Sequence, residues 1–424
     1  MALTAAKSQQ VASVFAAAPE QALSRLAGLL MKAVVADPSL EPVLALASAE
    51  ADLRQIVSTV FAPFLPMTEG AAPKRPLVRR SALIAAWRKI AAEDDGLAER
   101  VLALVRTHRD DEDPPAEFDM VCAIAADSGE SAPLARMLRL APVLRRAQPR
   151  LEAWVRNLSG ENVAAVRLAF KDALAIDEDA GPAFWEAVFA MLDEPWKVVR
   201  LISAAIDRPS DRYLAASELA DLGERLLTDI DARIGALKNF DATAGEARGV
   251  ETAESIGIAV QMIAEFEEWL TLSKDGPWGQ RINGQRRALA MTMEGRLREV
   301  EPAVAAALPT QPSRGAGRGV RPMPKLMADP IPLLVTKAEA LLTLMDEVRG
   351  IASAGGFASM RSKTLEALEK RLDQYCEDLL ETVRNGAGED ADRARAFLEI
   401  AAGFTGLVQG PQNAQIVRRR AAAA

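Results

Sequence analysis

The stretch "SDRYLAASELADLGERLLTDIDARIGALKNF", residues 210–240, decides the fold. It contains no proline, and Leu214, Leu219, Leu222, Leu226, Ile230 and Ile234 recur at spacings of three to five. That spacing keeps one apolar face on a helix, whereas a half-buried strand would alternate at every second residue. One long amphipathic helix is predicted here.

The residues that follow continue the theme. In "DATAGEARG", residues 241–249, Thr243 and Glu246 have capping-box spacing, which predicts a second long helix through "VETAESIGIAVQMIAEFEEWLTLS", residues 250–273. "PWGQRINGQRRALAMTMEGRLREVEPAVAAAL", residues 277–308, supplies a third, weakened at Gly284 and kinked or ended near Pro302. Residues 208–308 are therefore expected to form a long-helix antiparallel bundle.

Beyond the bundle, "PTQPSRGAGRGVRPMPKLMADPIP", residues 309–332, has six prolines, three glycines and four cations against one acid. Proline removes backbone donors and glycine raises the entropy cost of any fixed conformation, so an exposed tether is expected. Its cations Arg314, Arg318, Arg321 and Lys325 form an electrostatic tether able to meet the acidic remainder of the chain.

Residues 333–409 carry a further bundle pattern. Leu334, Ala338, Leu341, Met345 and Val348 step by four and three, as do Leu365, Leu368, Leu372, Tyr375 and Leu379. A last helix presents Ala394, Phe397, Ala401 and Phe404 on one face. A self-contained C-terminal three-helix bundle is expected, followed by a flexible basic tail over 410–424.

Toward the N-terminus, residues 1–207 are broken by Pro, Gly and acidic turns such as "ADPSLEP", "HRDDEDPPAEF" and "LDEPW". The intervals fit short helices in a solenoid-like or orthogonal helical array, with no fixed repeat. Composition agrees: half of the 424 residues are apolar, with only two Tyr and twelve Phe. Ala and Leu lose little entropy in a helix, whereas strands favour aromatic and β-branched side chains, so the fold class is all-α.

The net charge of -8 disfavours a nucleic-acid partner, because an acidic body repels a phosphate backbone. No run of about 18 apolar residues suggests a membrane span, and "VASVFAAAPE", residues 11–20, is a poor secretory signal. Cys122 and Cys376 make no ligand-like pair, which points to buried thiols and a cytoplasmic protein. The basic clusters Lys74, Arg75, Arg79 and Arg80, and Arg418, Arg419 and Arg420, allow at most weak contact with an anionic surface.

Specific chemistry is scarce. His108 is the single histidine, which removes two-histidine metal sites, and its neighbours Asp110, Asp111, Glu112 and Asp113 read as a solvated turn. Asp177, Asp179 and Gly181 echo a calcium loop but lack its closing glutamate. "GAGRG" fails the dinucleotide fingerprint, and no nucleophile elbow occurs. No catalytic, cofactor-binding or metal residue is assigned.

Phe184, Trp185, Phe189 and Trp196 form the one aromatic cluster, either core or an anchor groove for a partner. The expected function is a non-catalytic helical scaffold, adaptor or regulatory subunit acting through an unidentified protein partner, with self-association left open. The alternatives are an enzyme with a carboxylate, Arg and Tyr site in a helical pocket, and a regulator that binds nucleic acid or anionic membrane through the basic tether and tail.

Overall fold

The computed structural model describes residues 14, 15, 26, 29–35, 37–61, 84, 136, 137, 140–176, 179–314, 320–327, 329–385 and 389–423. The protein is all-α, with one two-stranded ribbon among the described residues. It divides into two compact units, Met1–Arg208 and Pro209–Ala424.

In the first unit, α1 (Glu41–Val60) packs on α4 (Ala180–Met191), and α2 (Ala141–Arg156), α3 (Gly160–Leu174) and α5 (Val198–Ile206) pack on one another. Phe15 and Ala47 centre a small cluster completed by Leu26, Leu30, Val43 and Ala51. Arg54 of α1 ties that cluster down by donating to Glu50 at 2.8 Å and to the Phe15 carbonyl at 3.0 Å. At the far end, Asp207 turns the chain out of α5 in the left-handed region, at φ 65°.

The second unit begins with a correction to the deciding stretch, which is two helices rather than one: α6 (Asp211–Ala215) and α7 (Ala220–Lys238). Ser217 makes the break. Its hydroxyl donates to the Leu214 carbonyl at 2.8 Å and accepts from the Leu219 amide at 3.2 Å, giving the backbone a local alternative to the helical ladder. The apolar face survives the break, since Leu214, Leu219, Leu222, Leu226, Ile230 and Ile234 are all buried.

The expected capping box is also replaced. Asp241 caps a separate short 3-10 turn, Ala242–Ala244, accepting from the Thr243 amide at 2.9 Å and its hydroxyl at 2.7 Å, while Gly245 at φ 88° opens α8 (Glu246–Trp269) without a side-chain cap. Those two bonds hold the Asp241 carboxyl below its ordinary pKa. Helix α9 (Pro277–Ala307) runs through Pro302 without ending there.

A buried carboxylate starts α9. Asp211 is 0% exposed; its Oδ1 accepts from the Ser273 amide at 3.2 Å and its Oδ2 from the Gly279 amide at 3.1 Å. Gly276, the residue before α9, has no side chain to cap with, and a Cβ there would lie 1.8 Å from Asp211 Oδ2. The cap thus comes from a residue more than sixty positions upstream. Along the α7–α9 seam, Trp278 donates to Glu224 at 2.9 Å, Arg281 pairs with Asp231 at 2.8 Å, and Gln285 donates to the Leu227 carbonyl at 2.7 Å.

Where a separate three-helix domain was expected over 333–409, the structure instead has one unit. Helix α10 (Pro332–Glu347) packs on both α8 and α9, α11 (Ala358–Asn385) packs on α9, and α12 (Glu389–Gln409) packs on α10 and α11. The physical reason lies in α10, where every residue from Ala340 to Met345 is buried. A helix buried all round needs neighbours on every side, and α8 and α9 supply the faces that α12 leaves open. Gly249 of α8 permits the closest approach: a Cβ there would sit 2.6 Å from the Ala340 carbonyl oxygen.

The expected flexible tail is helical as well. Gly410, at φ 94°, reverses the chain into α13 (Pro411–Ala423), which packs back along α12 and α11. Arg420 pairs bidentately with Glu377 at 2.6 and 2.7 Å, and Arg418 with Glu399 at 2.8 Å. A carboxylate on a neighbouring helix meets two of the three arginines read as tail charges.

Candidate interaction surface

Residues 309–332, expected as an unordered tether, hold the ribbon: β1 (Thr310–Arg314) pairs antiparallel with β2 (Val320–Pro324), in the register Thr310 with Pro324 through Arg314 with Val320. The prolines fit because of parity. Lys325 donates its amide to the Pro309 carbonyl at 2.9 Å, so Pro309 and Lys325 form a hydrogen-bonded pair. Alternation then makes Gln311 with Met323 a bonded pair and leaves Pro312, Pro322 and Pro324 at positions whose amide would point outward. Three missing donors therefore cost the ladder nothing, and they blunt both outer edges against further strand pairing.

The root of the ribbon is fixed to the bundle. Pro324 is buried, β2 packs on α11, and the Tyr375 hydroxyl of α11 lies 3.4 Å from the Pro309 carbonyl it donates to. Burial pushes the Tyr375 phenol above its ordinary pKa, so it stays a donor. After β2, Arg393 of α12 holds the turn by donating to Asp329 at 3.3 Å.

Three large apolar side chains around the start of α10 are exposed. Met327 is 78% exposed, Ile331 55% and Leu333 59%. Ile331 is the residue before α10 and Pro332 opens the helix; Leu334, Val335 and Thr336 are half-buried, and full burial starts only at Ala338. Lys325, beside this segment, is exposed.

The candidates read from sequence are distributed differently. Phe184 and Trp185 are each 1% exposed, with ring centroids 5.0 Å apart in edge-to-face geometry, and Phe170 adds a third ring 5.2 Å from Trp185. Trp196 is buried and Phe189 half-buried. Phe184, Trp185 and Trp196 are core of the first unit. The side chains of Arg314 and Arg321, and all of Arg318, lie outside the described residues. So do His108, Asp110, Asp111, Glu112, Asp113, Cys122, Asp177, Lys74, Arg75, Arg79 and Arg80. Asp179 pairs with Arg136.

Cys376 is a buried free thiol whose pKa burial pushes up to about 11, which leaves it protonated and unreactive at neutral pH. No group of three or more potential metal ligands occurs among the described residues, and no described helix is long and apolar enough to cross a membrane. Sequence reasoning missed the apolar shelf at Met327, Ile331 and Leu333 because the first two were counted with the tether and Leu333 with the bundle that follows. The available signal was three large apolar residues that belong to neither flanking stripe. No family model, curated protein or solved structure matches the chain.

Proposed function

We propose that the chain is a non-catalytic helical scaffold, adaptor or regulatory subunit of the cytoplasm, and that the ribbon with the shelf at Met327, Ile331 and Leu333 is where it holds a protein partner. The observation that carries this reading is the shelf: three large apolar side chains, each more than half exposed within seven residues, beside a ribbon anchored at its root. Scattered exposed apolar residues need no explanation, but three within seven residues beside a fixed support are the residue type that anchors an interface. The blunted ribbon edges favour recognition by side chains over strand addition.

Cross-linking through Lys325 in the native cells tests the proposal. A protein cross-linked at Lys325 in the wild type is expected to disappear in the triple variant Met327→Ser, Ile331→Ser, Leu333→Ser, with circular dichroism unchanged. Undiminished cross-linking in the folded triple variant overturns the reading.

A further inference from the structure

We propose that α13 is a releasable strap, held over the Cys376 face of α11 and α12 chiefly by charge, and that its release uncovers that face. The helix is thinly packed. Ala414 is the one residue of α13 that is fully buried, its small side chain set against Gly406 of α12, where an added Cβ would come within 3.4 Å. Ile416, its largest apolar side chain, is 49% exposed.

Val417 and Ala421 are half-buried, and the remaining ties are ionic and face water. The Arg420 and Glu377 side chains are 39% and 53% exposed, and those of Arg418 and Glu399 are 48% and 65% exposed. Each such pair shifts a closed-to-open ratio by roughly fivefold at most, and salt screens it. The hinge is the single residue Gly410, at φ 94°, where glycine adopts the left-handed region without strain.

The strap lies over a defined face. Glu377, the anchor of Arg420, adjoins Cys376, whose thiol is hydrogen-bonded to Thr405 of α12 and lies within electrostatic reach of Arg420. Cys376 is buried and next in sequence to the carboxylate that anchors Arg420, so lifting α13 is expected to raise the exposure of its thiol.

The test uses the full-length protein with Cys122→Ser, leaving Cys376 as the reporter thiol, and the uncharged reagent iodoacetamide. Raising NaCl from about 0.1 to about 1 M is expected to speed alkylation of Cys376 by roughly fivefold to tenfold. Arg420→Glu is expected to be fast at both salt concentrations, and the exchanged pair Arg420→Glu with Glu377→Arg to be slow again at low salt. Hydrogen exchange should show residues 411–423 opening as a group while α11 and α12 stay protected. A rate independent of salt and of Arg420, or amides of α11 and α12 that open together with 411–423, overturns the proposal, because either means that the thiol is reached only by unfolding of the unit.

Discussion

Gly249 and Gly284 look alike in the sequence, each a glycine inside a long helix, yet their surroundings oppose one another. A Cβ at Gly249 would meet the Ala340 carbonyl oxygen at 2.6 Å, whereas at Gly284 nothing lies within 4 Å. Gly249→Ala is therefore expected to destabilise the protein by about 1–3 kcal/mol through forced separation of α8 and α10. Gly284→Ala should stabilise it by up to about 1 kcal/mol through helix propensity. Urea midpoints of the two variants should move in opposite directions; a Gly249→Ala midpoint at or above wild type contradicts the close packing. Asp211→Ala strands the buried Gly279 amide and the half-buried Ser273 amide, and should cost about 1–3 kcal/mol. The Cys376 thiol has its own pH signature. Its folded pKa, about 11 against an ordinary 9.0, means that the neutral form is favoured by folding. The sign follows: this contribution is complete below about pH 9 and is lost as pH rises toward 11. Stability curves of wild type and Cys376→Ala should converge over that window, and curves that stay parallel contradict the burial.

At the scale of the element, the ribbon shows why proline content alone misleads. Proline is incompatible with a strand only where its amide would meet the partner strand, and Pro312, Pro322 and Pro324 all fall at outward positions. Met323 falls at an inward one. Met323→Pro should therefore abolish amide protection across β1 and β2, while Pro322→Val should retain it, as read by hydrogen exchange; equal protection in both variants contradicts the register. The break between α6 and α7 carries the converse lesson. An unbroken apolar stripe over residues 210–240 was legible, but the helix itself is interrupted, because Ser217 satisfies its neighbours' backbone groups locally.

For the whole molecule, the joining of residues 209–308 with 333–423 is the consequential outcome. With α10 buried between α8, α9 and α12, residues 333–424 expressed alone are expected to lack a cooperative urea transition, while residues 209–424 should unfold in one step. A cooperative transition in the shorter fragment would restore an independent domain. Leu372→Asp, at a fully buried position of α11, should cost more than about 4 kcal/mol and unfold the entire second unit. By itself the sequence determined the all-α class and the buried stripes of α7, α10, α11 and α12, because periodicity and low aromatic content act within one helix turn. The tertiary structure alone decided that Asp211 caps a helix more than sixty residues away, that α10 is surrounded, and that the prolines of the ribbon face outward. It also decided that the basic tail is a helix paired with Glu377 and Glu399. Each of these depends on which distant backbone or carboxylate comes within hydrogen-bond reach. A stripe records that a face is covered but carries no information about what covers it.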